Sequence, residues 1–496
     1  MTAALVAALS TEEYRVRQVV PSERLRQVTA DRFEVDMSSP ESVHELHQLL
    51  AGSESVPVGS VINLLGLCQP FCRPGCEDPD APLRLSEWTF NLVKEFEEDL
   101  RTSAIEGGGW FVNVTRLDGK FGLVRGENAA LAAAGTLGIS KSLQRECPRL
   151  MVKNVDVDPT LEPHLVAARL IDELSASDDL LEVGLCKQGR WRLDLLRDPA
   201  PETLSPLPVD ASSVVLITGG AFGVTADVAK ALAVSARPTL ILVGRSPLPS
   251  EESADTRGLQ GGALRSRLIE KARAGGGKVL PADIERSLKR IEKNRQILDN
   301  IAACRDAGSN VEYHALDVRD GKAFGDLIED LYSRFGRIDG VVHGAGIIDD
   351  KRIRDKSPES FANVLRTKVG SAMTLASKLR PESLKFLVFF SSVSGRFGNA
   401  GQSDYSAANE FLNKLADHLD KRWPARVVSI NWGPWDGGMV SDDLRKMYAT
   451  VGFELIPIDE GVRSFLSEIR LAERRSPEVV ISCSVERMMS TDPVHA

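Results

Sequence analysis

Short apolar runs alternate with longer amphipathic stretches along the C-terminal half of the chain. A strand that is buried on both faces reads as a continuous apolar run, which is typical of a parallel sheet covered by helices on both sides. The amphipathic stretches between the runs predict those helices. The pattern therefore predicts an α/β fold with a doubly wound parallel sheet. The predicted strands cover residues 214–217, 239–243, 340–342, 386–390 and 427–430.

Residues 247–304 break this rhythm between the second and third strands. The polar, glycine-containing part at 247–262 predicts a mobile loop. The charged part at 281–304 has helical spacing, so we predict an inserted helix there. Two interpretations stay open: a helical excursion on the surface, or an element that docks a partner. The apolar stripe of this helix contains Ile284, Leu288, Ile291, Ile297, Leu298 and Ile301.

A proline-rich stretch at 198–208 divides the chain. Proline lacks the amide donor that helices and sheets require, so we place the domain boundary here, between domains 1–205 and 206–496. The segment WFVNVTRLDGKFG (110–122) follows the same pattern as FLVFFSSVSGRFG (386–398). This similarity indicates an internal duplication, and two independent strand–helix segments with a shared pattern are the alternative.

The composition excludes several classes of protein. The chain has 496 residues, of which 43% are hydrophobic and 26% charged, as in ordinary globular proteins. The net charge of −9 argues against a nucleic-acid partner that requires a basic surface. No apolar run approaches the roughly 20 residues of a membrane span. The seven cysteines are few for this length, which favours a reduced, cytoplasmic protein.

A glycine-rich loop follows the first predicted strand of the C-terminal half. The segment TGGAFGVT (218–225) leads into a predicted helix over 226–233. Glycines let the backbone approach phosphate groups, and a helix N-terminus offers free amides. The T-G-x-x-x-G spacing predicts a site for the pyrophosphate of a dinucleotide, although Thr225 stands where glycine usually closes the motif. The predicted binding residues are Thr218, Gly219, Gly220, Phe222, Gly223 and Val224.

The end of the second strand indicates which dinucleotide binds. It reads Gly244, Arg245 and Ser246, with no acidic residue for a ribose 2′-hydroxyl. A guanidinium can bind a 2′-phosphate, so NADPH is favoured over NADH, with a solvated arginine as the alternative.

The third and fourth strand ends complete the predicted cofactor site. Asp317 and Val318 follow the third strand and are expected beside the adenine. Small residues after the fourth strand would let the backbone pass close to the cofactor. There we interpret His343 as a packing or hydrogen-bonding residue rather than an acid–base group. This segment contributes His343, Gly344, Ala345 and Gly346.

Four residues suggest reduction of a ketone. Lys368, Ser392, Tyr405 and Asn409 are candidates, and the spacing of four puts Tyr405 and Asn409 on one face of a helix. Hydride delivery to a ketone builds negative charge on oxygen, which Ser392 can hydrogen-bond and Tyr405 can protonate. A nearby ammonium on Lys368 is expected to lower the phenol pKa from about 10, and Asn409 to orient the lysine or a water.

Residues 210–470 resemble the ketoreductase domains of type I polyketide synthases and polyunsaturated fatty acid synthases, in the short-chain dehydrogenase/reductase superfamily. The resemblance is carried by TGGAFGVT, GRS, HGAG, LRTKVGSAMTL, FFSSVSGRFGNAGQSDYSAANEFL and SINWGPWDGGM. It implies that the four residues above form the catalytic tetrad. It also implies two Rossmann-like subdomains, of which the N-terminal one is truncated, degenerate and without cofactor. Its residues opposite Ser392, Tyr405 and Asn409 are Arg116, Ala130 and Ala134.

The resemblance further implies stereochemistry and a lid. The segment Ile348, Asp349 and Asp350 is similar to the Leu-Asp-Asp motif of B-type ketoreductases, which form the D-hydroxyl group. Phe397 stands where A-type enzymes carry tryptophan. Trp432 and Gly433 begin the loop expected near nicotinamide and substrate, and residues 436–456 resemble the substrate lid.

The resulting prediction is an NADPH-dependent β-ketoacyl reductase acting on a chain attached to an acyl carrier protein. Its partners would be that carrier and the other domains of a multienzyme synthase, without nucleic acid or membrane. A short-chain reductase of free small ketones and a non-catalytic scaffold module are the alternatives. No metal is predicted, since the thiols of Cys68, Cys72 and Cys76 and the pair His44/His47 are interpreted as ordinary side chains.

Overall fold

Parallel β-sheets form the frame of both halves of the protein. The computed structural model describes residues 2–10, 15–51, 57–68, 71, 78–124, 130–176, 178–198, 203–248, 252–274, 280–438, 440, 442–450, 452–471 and 475–486. Among these residues, no helix has both the length and the apolar character needed to cross a bilayer.

The N-terminal half contains five helices and eight strands within the described residues. The helices are α1 (Thr2–Leu9), α2 (Pro40–Ala51), α3 (Ala81–Ile105), α4 (Ala134–Glu146) and α5 (Pro163–Leu174). The strands are β1 (Gln18–Pro21), β2 (Arg26–Thr29), β3 (Arg32–Val35), β4 (Ser60–Asn63), β5 (Trp110–Thr115), β6 (Met151–Val157), β7 (Glu182–Cys186) and β8 (Gly189–Arg192).

The C-terminal half alternates strands with helices. Its strands are β9 (Val214–Thr218), β10 (Thr239–Gly244), β11 (Val311–Ala315), β12 (Gly340–His343), β13 (Phe386–Ser392), β14 (Arg426–Trp432) and β15 (Glu478–Ile481). Its helices are α6 (Gly223–Ala236), α7 (Gly261–Ala274), α8 (Pro281–Asp306), α9 (Gly321–Phe335), α10 (Pro358–Leu365), α11 (Ser371–Lys378), α12 (Val393–Phe397), α13 (Ser403–Asp420), α14 (Asp442–Thr450) and α15 (Ile458–Glu468). A π-helical turn at Arg366–Gly370 joins α10 to α11.

The C-terminal sheet has seven parallel strands in the order β11-β10-β9-β12-β13-β14-β15. The strand order reverses between β9 and β12, and in open α/β sheets ligands bind in the crevice at such a switch point. Both sheet faces are covered by apolar side chains, as the continuous apolar runs predicted. All five predicted strands are confirmed, and the fold class is the predicted doubly wound one.

The N-terminal half contains a shorter version of the same sheet. Its main sheet has the order β4-β5-β6-β7-β8, in which β4 to β7 are parallel and β8 is antiparallel. This corresponds to β12 to β15 of the larger sheet, without counterparts of β9 to β11. A separate three-stranded sheet contains β1, β3 and β2. The prediction of a truncated Rossmann-like subdomain is therefore confirmed.

The two halves share one apolar core. Phe90 of α3 stacks on Phe361 of α10, with ring centroids 4.1 Å apart. Helix α4 lies against α13 so closely that a methyl group added at Gly138 would overlap the carbonyl oxygen of Ser406. The helix that carries Tyr405 is thus packed on the N-terminal half, which fixes its position.

The insertion is helical, as the charged pattern predicted, and contains α7 and α8. Helix α8 buries Ile284, Ile297, Ile301 and Cys304, whereas Leu298 is exposed. The last three buried residues pack with α6 in the core of the catalytic sheet. The apolar stripe is therefore used in part to attach the insertion to the helix that follows the glycine-rich loop.

Candidate active site

The glycine-rich loop lies between β9 and α6 at the switch point of the sheet. Gly219 and Gly223 have φ angles of +77° and +63°, a region that glycine adopts without strain. A Cβ atom at Gly219 would lie 3.1 Å from the backbone of Gly344, and one at Gly344 would lie 2.5 Å from Oγ1 of Thr225. The loop after β9 and the loop after β12 therefore approach each other closely, and glycine at 219 and 344 permits this approach.

Thr218 and His343 connect the glycine-rich loop to the segment of Lys368. The Thr218 hydroxyl accepts a hydrogen bond from the amide of Ala345 (3.2 Å) and shares another with Nδ1 of His343 (2.8 Å). Nε2 of His343 lies 3.1 Å from the carbonyl oxygen of Lys368. Burial, with the charge of Lys368, lowers the pKa of His343 to about 3. His343 is thus a neutral, internal hydrogen-bonding residue, and any contact it makes with a cofactor would come from its backbone.

Lys368 lies at the centre of the site, in the π-helical turn between α10 and α11. Its side chain is buried, and Nζ donates a hydrogen bond to the carbonyl oxygen of Phe390 (2.6 Å). Nζ also lies 5.3 Å from the ring centroid of Tyr405. A Cβ atom at Gly346 would lie 2.8 Å from Cε of Lys368, so this glycine leaves the space that the lysine occupies. Lys368 therefore links Tyr405 to the loop after β12.

Ser392 ends β13 and begins a chain of hydrogen bonds that sequence reasoning missed. Its hydroxyl lies 3.2 Å from the hydroxyl of Ser394, which donates to Oε1 of Gln402 (2.7 Å). Nε2 of Gln402 donates to the carboxylate of Asp350 (3.0 and 3.1 Å). Ser394 and Gln402 belong to the polar turn between Ser392 and Tyr405, and that location is the one signal in the sequence that could have identified them.

Tyr405 and Asn409 lie one turn apart on α13, as their spacing predicted. Nδ2 of Asn409 donates to the carbonyl oxygen of Tyr405 (2.8 Å). Oδ1 of Asn409 is buried and has no hydrogen-bond partner among the described residues. A buried amide oxygen without a donor is unfavourable, so this atom is suited to accept a hydrogen bond from a water or an ammonium.

The predicted lowering of the Tyr405 pKa is wrong for this structure. Burial, opposed by a hydrogen bond to Asn409 and reinforced by the charge of Asp350, raises the pKa of Tyr405 to about 12. Burial also lowers the pKa of Lys368 to about 7, so the lysine is only partly charged at neutral pH. The sequence identified the ammonium beside the phenol but could not show that Lys368 is buried and Tyr405 partly buried. Tyr405 is consequently held as a neutral phenol, the form that donates a proton.

The adenosine end of the cleft contains the predicted arginine. Arg245 is exposed and has no ion pair with a described carboxylate, and its charge helps to lower the pKa of Asp317. Asp317 is paired with Arg319 at 2.6 Å, and Val318 is buried. The carbonyl oxygen of Ser246 accepts a hydrogen bond from the Tyr313 hydroxyl (2.6 Å). A Cβ atom at Gly244 would lie 2.8 Å from that hydroxyl oxygen, which shows why glycine is needed there.

The residues expected to contact substrate separate into two groups. Asp350 belongs to the chain that reaches Ser392, and the exposed Ile348 precedes it. Asp349 instead accepts a hydrogen bond from the Ser360 hydroxyl (2.5 Å) and pairs with Lys351. The two neighbouring aspartates therefore differ in their surroundings, and only Asp350 is connected to the reactive serine.

Trp432 and Gly433 differ from the expectation. The Trp432 ring is 6% exposed and contacts the rings of Phe390 and Trp435, so it is part of the core rather than of the cleft wall. A Cβ atom at Gly433 would lie 2.5 Å from the hydroxyl oxygen of Ser482, so this glycine permits packing against the C-terminal segment. In a strand buried on both faces the sequence does not show which side a residue faces.

The predicted lid contains α14. A bridge between Trp435 and Ile456 closes the base of this segment. A Cβ atom at Gly438 would lie 3.0 Å from Cγ1 of Val224, so the segment starts against the glycine-rich loop. At the other end, burial and the charge of Asp350 raise the pKa of Tyr448 on α14. The segment therefore runs from the cofactor loop to the candidate substrate residues.

Two histidines and three cysteines are interpreted from the sequence as ordinary side chains rather than metal ligands. Nδ1 atoms of His44 and His47 both lie within hydrogen-bond distance of the Glu95 carboxylate (2.9 and 2.8 Å). Cys72 and Cys76 lie outside the described residues. Among the residues that the structure covers, no group of three or more candidate ligands could hold a metal ion.

Comparisons with known proteins agree with this geometry. The family model described as KR domain matches residues 213–437. The chain is 30% identical over 398 residues to a polyunsaturated fatty acid synthase protein of Thraustochytrium sp., covering 77% of this chain and 14% of that protein. It is 27% identical over 369 residues to polyketide synthase PksN of Bacillus subtilis, covering 72% of this chain and 6% of that protein. The chain thus spans only a small part of the curated relatives it matches.

Solved structures show the same fold. An N-terminal ketoreductase from the macrolactin assembly line is similar with a TM-score of 0.71 at 20% identity, covering 98% of this chain and 86% of that one. A ketoreductase domain from the bacillaene assembly line is similar with a TM-score of 0.58 at 26% identity, covering 80% and 84%. From the family match, the relatives and the shared fold, the chain belongs to the ketoreductase domains of polyketide and polyunsaturated fatty acid synthases.

Proposed function

We propose that this chain reduces the β-keto group of a β-ketoacyl thioester on an acyl carrier protein to a β-hydroxyacyl thioester, with NADPH as the reductant. One observation carries the proposal, which is the position of the buried Lys368 side chain. It donates a hydrogen bond to the carbonyl oxygen of Phe390 in the strand of Ser392, and it lies beside both the ring of Tyr405 and Gly346. The closeness of Lys368 to both Tyr405 and Gly346 supports a role for Tyr405 as the proton donor beside the dinucleotide crevice. Residues 206–496 would carry the reaction, and residues 1–205 would support them.

The residues of the crevice fit a phosphorylated dinucleotide. A Cβ atom at Gly219 would lie 3.1 Å from the backbone of Gly344, and α6 begins directly after the loop. Thr218, Gly219, Gly220, Phe222, Gly223 and Val224 would hold the pyrophosphate, and Arg245 would bind the 2′-phosphate. The chemistry that bound NADPH would supply is a hydride for the carbonyl carbon.

Tyr405 would donate the proton. Its raised pKa keeps the phenol protonated before reaction, so a proton is available when negative charge develops on the substrate oxygen. Ser392 would donate a hydrogen bond to the same oxygen and stabilise its charge. Since the Ser392 hydroxyl lies beside Ser394 in this structure, it would exchange that neighbour for the substrate.

Lys368 and Asn409 would restore the proton on Tyr405. Lys368 has a pKa of about 7, so its ammonium can lose a proton at neutral pH. The unpartnered Oδ1 of Asn409 would hold a water that connects this region to solvent. The four residues would therefore divide into two that contact the substrate oxygen and two that resupply the proton.

We further propose a B-type product with the D-hydroxyl group. Support comes from the similarity of Ile348, Asp349 and Asp350 to the B-type motif and from Phe397 at the A-type tryptophan position. The connection of Asp350 to Ser392 through Gln402 gives that motif a physical route to the reacting group. The acyl carrier protein and the remaining synthase domains would be the partners.

The test is NADPH oxidation with a β-ketoacyl thioester, both free and loaded on a carrier, followed by chiral analysis of the alcohol. Tyr405→Phe should lower turnover about 1,000-fold, since a positioned general acid contributes about 10²- to 10⁴-fold. The Kd for NADPH should stay within about twofold of wild type, because the phenol acts in proton transfer and does not take part in cofactor binding. Substantial turnover by this variant would refute the assignment, and mainly L-alcohol would refute the B-type proposal. Turnover of small free ketones with indifference to the carrier would favour the other reductase class.

A further inference from the structure

The inserted helix α8 contacts the glycine-rich loop directly. Nδ2 of Asn300 donates a hydrogen bond to the carbonyl oxygen of Ala221, at 3.1 Å, inside that loop. Ile297 and Ile301 are buried against the residues of α6. This face of α8 is therefore fixed in position relative to the residues that would hold the cofactor phosphates.

Lys293 lies on the same face of α8, two helical turns before Asn300. Its Nζ atom lies 5.4 Å from the ring centroid of Phe222, in the glycine-rich loop. Burial and the charge of Arg245 both lower the pKa of Lys293, so the two cations are close to each other. Neither the Lys293 ammonium nor the Arg245 guanidinium has a hydrogen bond or ion pair to another described residue.

Two neighbouring cations without a carboxylate partner repel each other and favour binding of an anion. The charge of Arg245 contributes to lowering the pKa of Asp317, but that carboxylate is already paired with Arg319. Both cations flank the glycine-rich loop at the adenosine end of the crevice. A ribose 2′-phosphate carries about two negative charges and three acceptor oxygens, which suits two cationic donors.

We propose that Lys293 is a cofactor-binding residue and that, with Arg245, it holds the 2′-phosphate of NADPH. The insertion thus contributes to the choice of cofactor rather than serving only as a surface excursion. The inference rests on the proposed NADPH-dependent function and adds a residue from outside the dinucleotide fold. An acidic protein surface is the competing ligand for the same cations, and the experiment separates the two.

The experiment measures binding of 2′,5′-ADP and 5′-AMP by titration calorimetry, so that no turnover is needed. Lys293→Gln should raise the Kd for 2′,5′-ADP about tenfold, since hydrogen bonds to charged groups are among the stronger ones. The Kd for 5′-AMP, which lacks the 2′-phosphate, should change less than about twofold in that variant. Arg286→Gln is the matched control, because it removes one positive charge from the same helix at a side chain that is 79% exposed.

Two further variants sharpen the test. Lys293→Arg should restore most of the affinity for 2′,5′-ADP. The double variant Lys293→Gln/Arg245→Gln should lose less than the product of the two single losses, because both side chains contact the same group. Equal weakening of both nucleotides, or an effect no larger than that of Arg286→Gln, would overturn the role of Lys293. If Lys293→Gln weakens only carrier binding, the cations serve an acidic protein surface and the inference is wrong. If wild type shows no preference for 2′,5′-ADP, the proposed NADPH specificity fails instead.

Discussion

The turn after β5 and the turn after β13 occupy equivalent positions in the two halves but use their polar groups differently. In the N-terminal half, the buried carboxylate of Asp156 accepts hydrogen bonds from the amides of Leu117 (2.7 Å) and Phe121 (2.8 Å) and from the Thr115 hydroxyl (2.8 Å). This turn is therefore closed by internal hydrogen bonds. Within residues 116–124, the described part of this turn, no series of side-chain hydrogen bonds like that from Ser392 to Asp350 is present.

The residues opposite the tetrad confirm the contrast. Arg116 stands where β13 has Ser392, and its guanidinium donates to the carbonyl oxygen of Pro159 (2.6 Å). Ala130 and Ala134, opposite Tyr405 and Asn409, are buried apolar residues. The comparison teaches that the duplicated frame alone does not supply the candidate chemistry, because the equivalent N-terminal positions hold an arginine and two alanines.

Two buried lysines, Lys141 of the N-terminal half and Lys368 of the catalytic half, have different partners. Lys141 of α4 is fully buried and is paired with Glu182 (3.0 Å) and Glu410 (3.2 Å). It also donates to the carbonyl oxygen of Gly395, in the turn after β13 (3.2 Å). Lys368 has a carbonyl oxygen as its hydrogen-bond acceptor and no carboxylate within ion-pair distance among the described residues. We infer that Lys141 stabilises the interface between the halves and that burial of Lys368 opposes stability.

Replacing Lys141 should give the largest change in the free energy of unfolding. Lys141→Met should lower the free energy of unfolding by about 3–5 kcal/mol, because it removes one cation from a buried cluster and leaves Glu182 with Arg396 and Glu410 with Lys414. Denaturant unfolding at neutral pH measures the change. Lys322→Met, at a side chain that is 85% exposed, is the control and should have little effect. A Lys141→Met protein as stable as wild type would show that the interface depends on apolar packing alone.

Replacing Lys368 should have the opposite effect on the free energy of unfolding. Lys368→Met should be more stable than wild type at pH 7, although it should lose turnover. The Lys368 pKa of about 7 lies below its usual value of 10.5, so the unfolded state binds more protons between pH 7 and 10.5 and wild type gains stability as pH rises. The advantage of Lys368→Met should therefore shrink by about 2 kcal/mol between pH 7 and pH 9.

Unfolding curves of both proteins at several pH values isolate this effect, because groups that do not interact with Lys368 titrate equally in the two. A constant difference across the pH range would show that Lys368 keeps its ordinary pKa when the chain is folded. That outcome would also remove the argument that Lys368 can release a proton near neutrality.

The framework of the site was predictable from the sequence because it depends on local patterns. Continuous apolar runs gave the strands, and the spacing of Tyr405 and Asn409 gave one helix face. The direction of the Tyr405 pKa was not predictable, since it depends on burial by segments distant in sequence. The approach of Lys293 to Phe222 was missed for the same reason: it requires the insertion to fold back on the loop.

A smaller effect on kcat is expected from Glu146, a residue of the N-terminal half that bonds to the turn after β13. The Glu146 carboxylate accepts hydrogen bonds from the amides of Gly401 (3.0 Å) and Ile353 (2.9 Å). Glu146→Gln replaces one acceptor oxygen by a donor, so it should lower kcat about tenfold. The KM for NADPH should stay unchanged, since Gly401 lies in the turn before Tyr405. Glu98→Gln, at an exposed position of α3, is the control, and equal kcat values for both variants would exclude a positioning role.

The smallest effect should come from the hydrogen-bond chain inside the turn after β13. Gln402→Leu removes the donor to Asp350 and the acceptor of Ser394, so the Ser392 hydroxyl should be less well oriented. Loss of a neutral hydrogen bond corresponds to about 1 kcal/mol, or about fivefold in kcat. The matched change in the N-terminal turn is Asp118→Asn, which weakens bonds to the amides of Lys120 and Gly122 and should alter stability without altering kcat. If Gln402→Leu and Asp118→Asn change kcat equally, the two turns affect the reaction only by stabilising the fold. A change confined to Gln402→Leu, with a shifted ratio of D- to L-alcohol, would instead show that side chains of the turn after β13 orient the reacting groups.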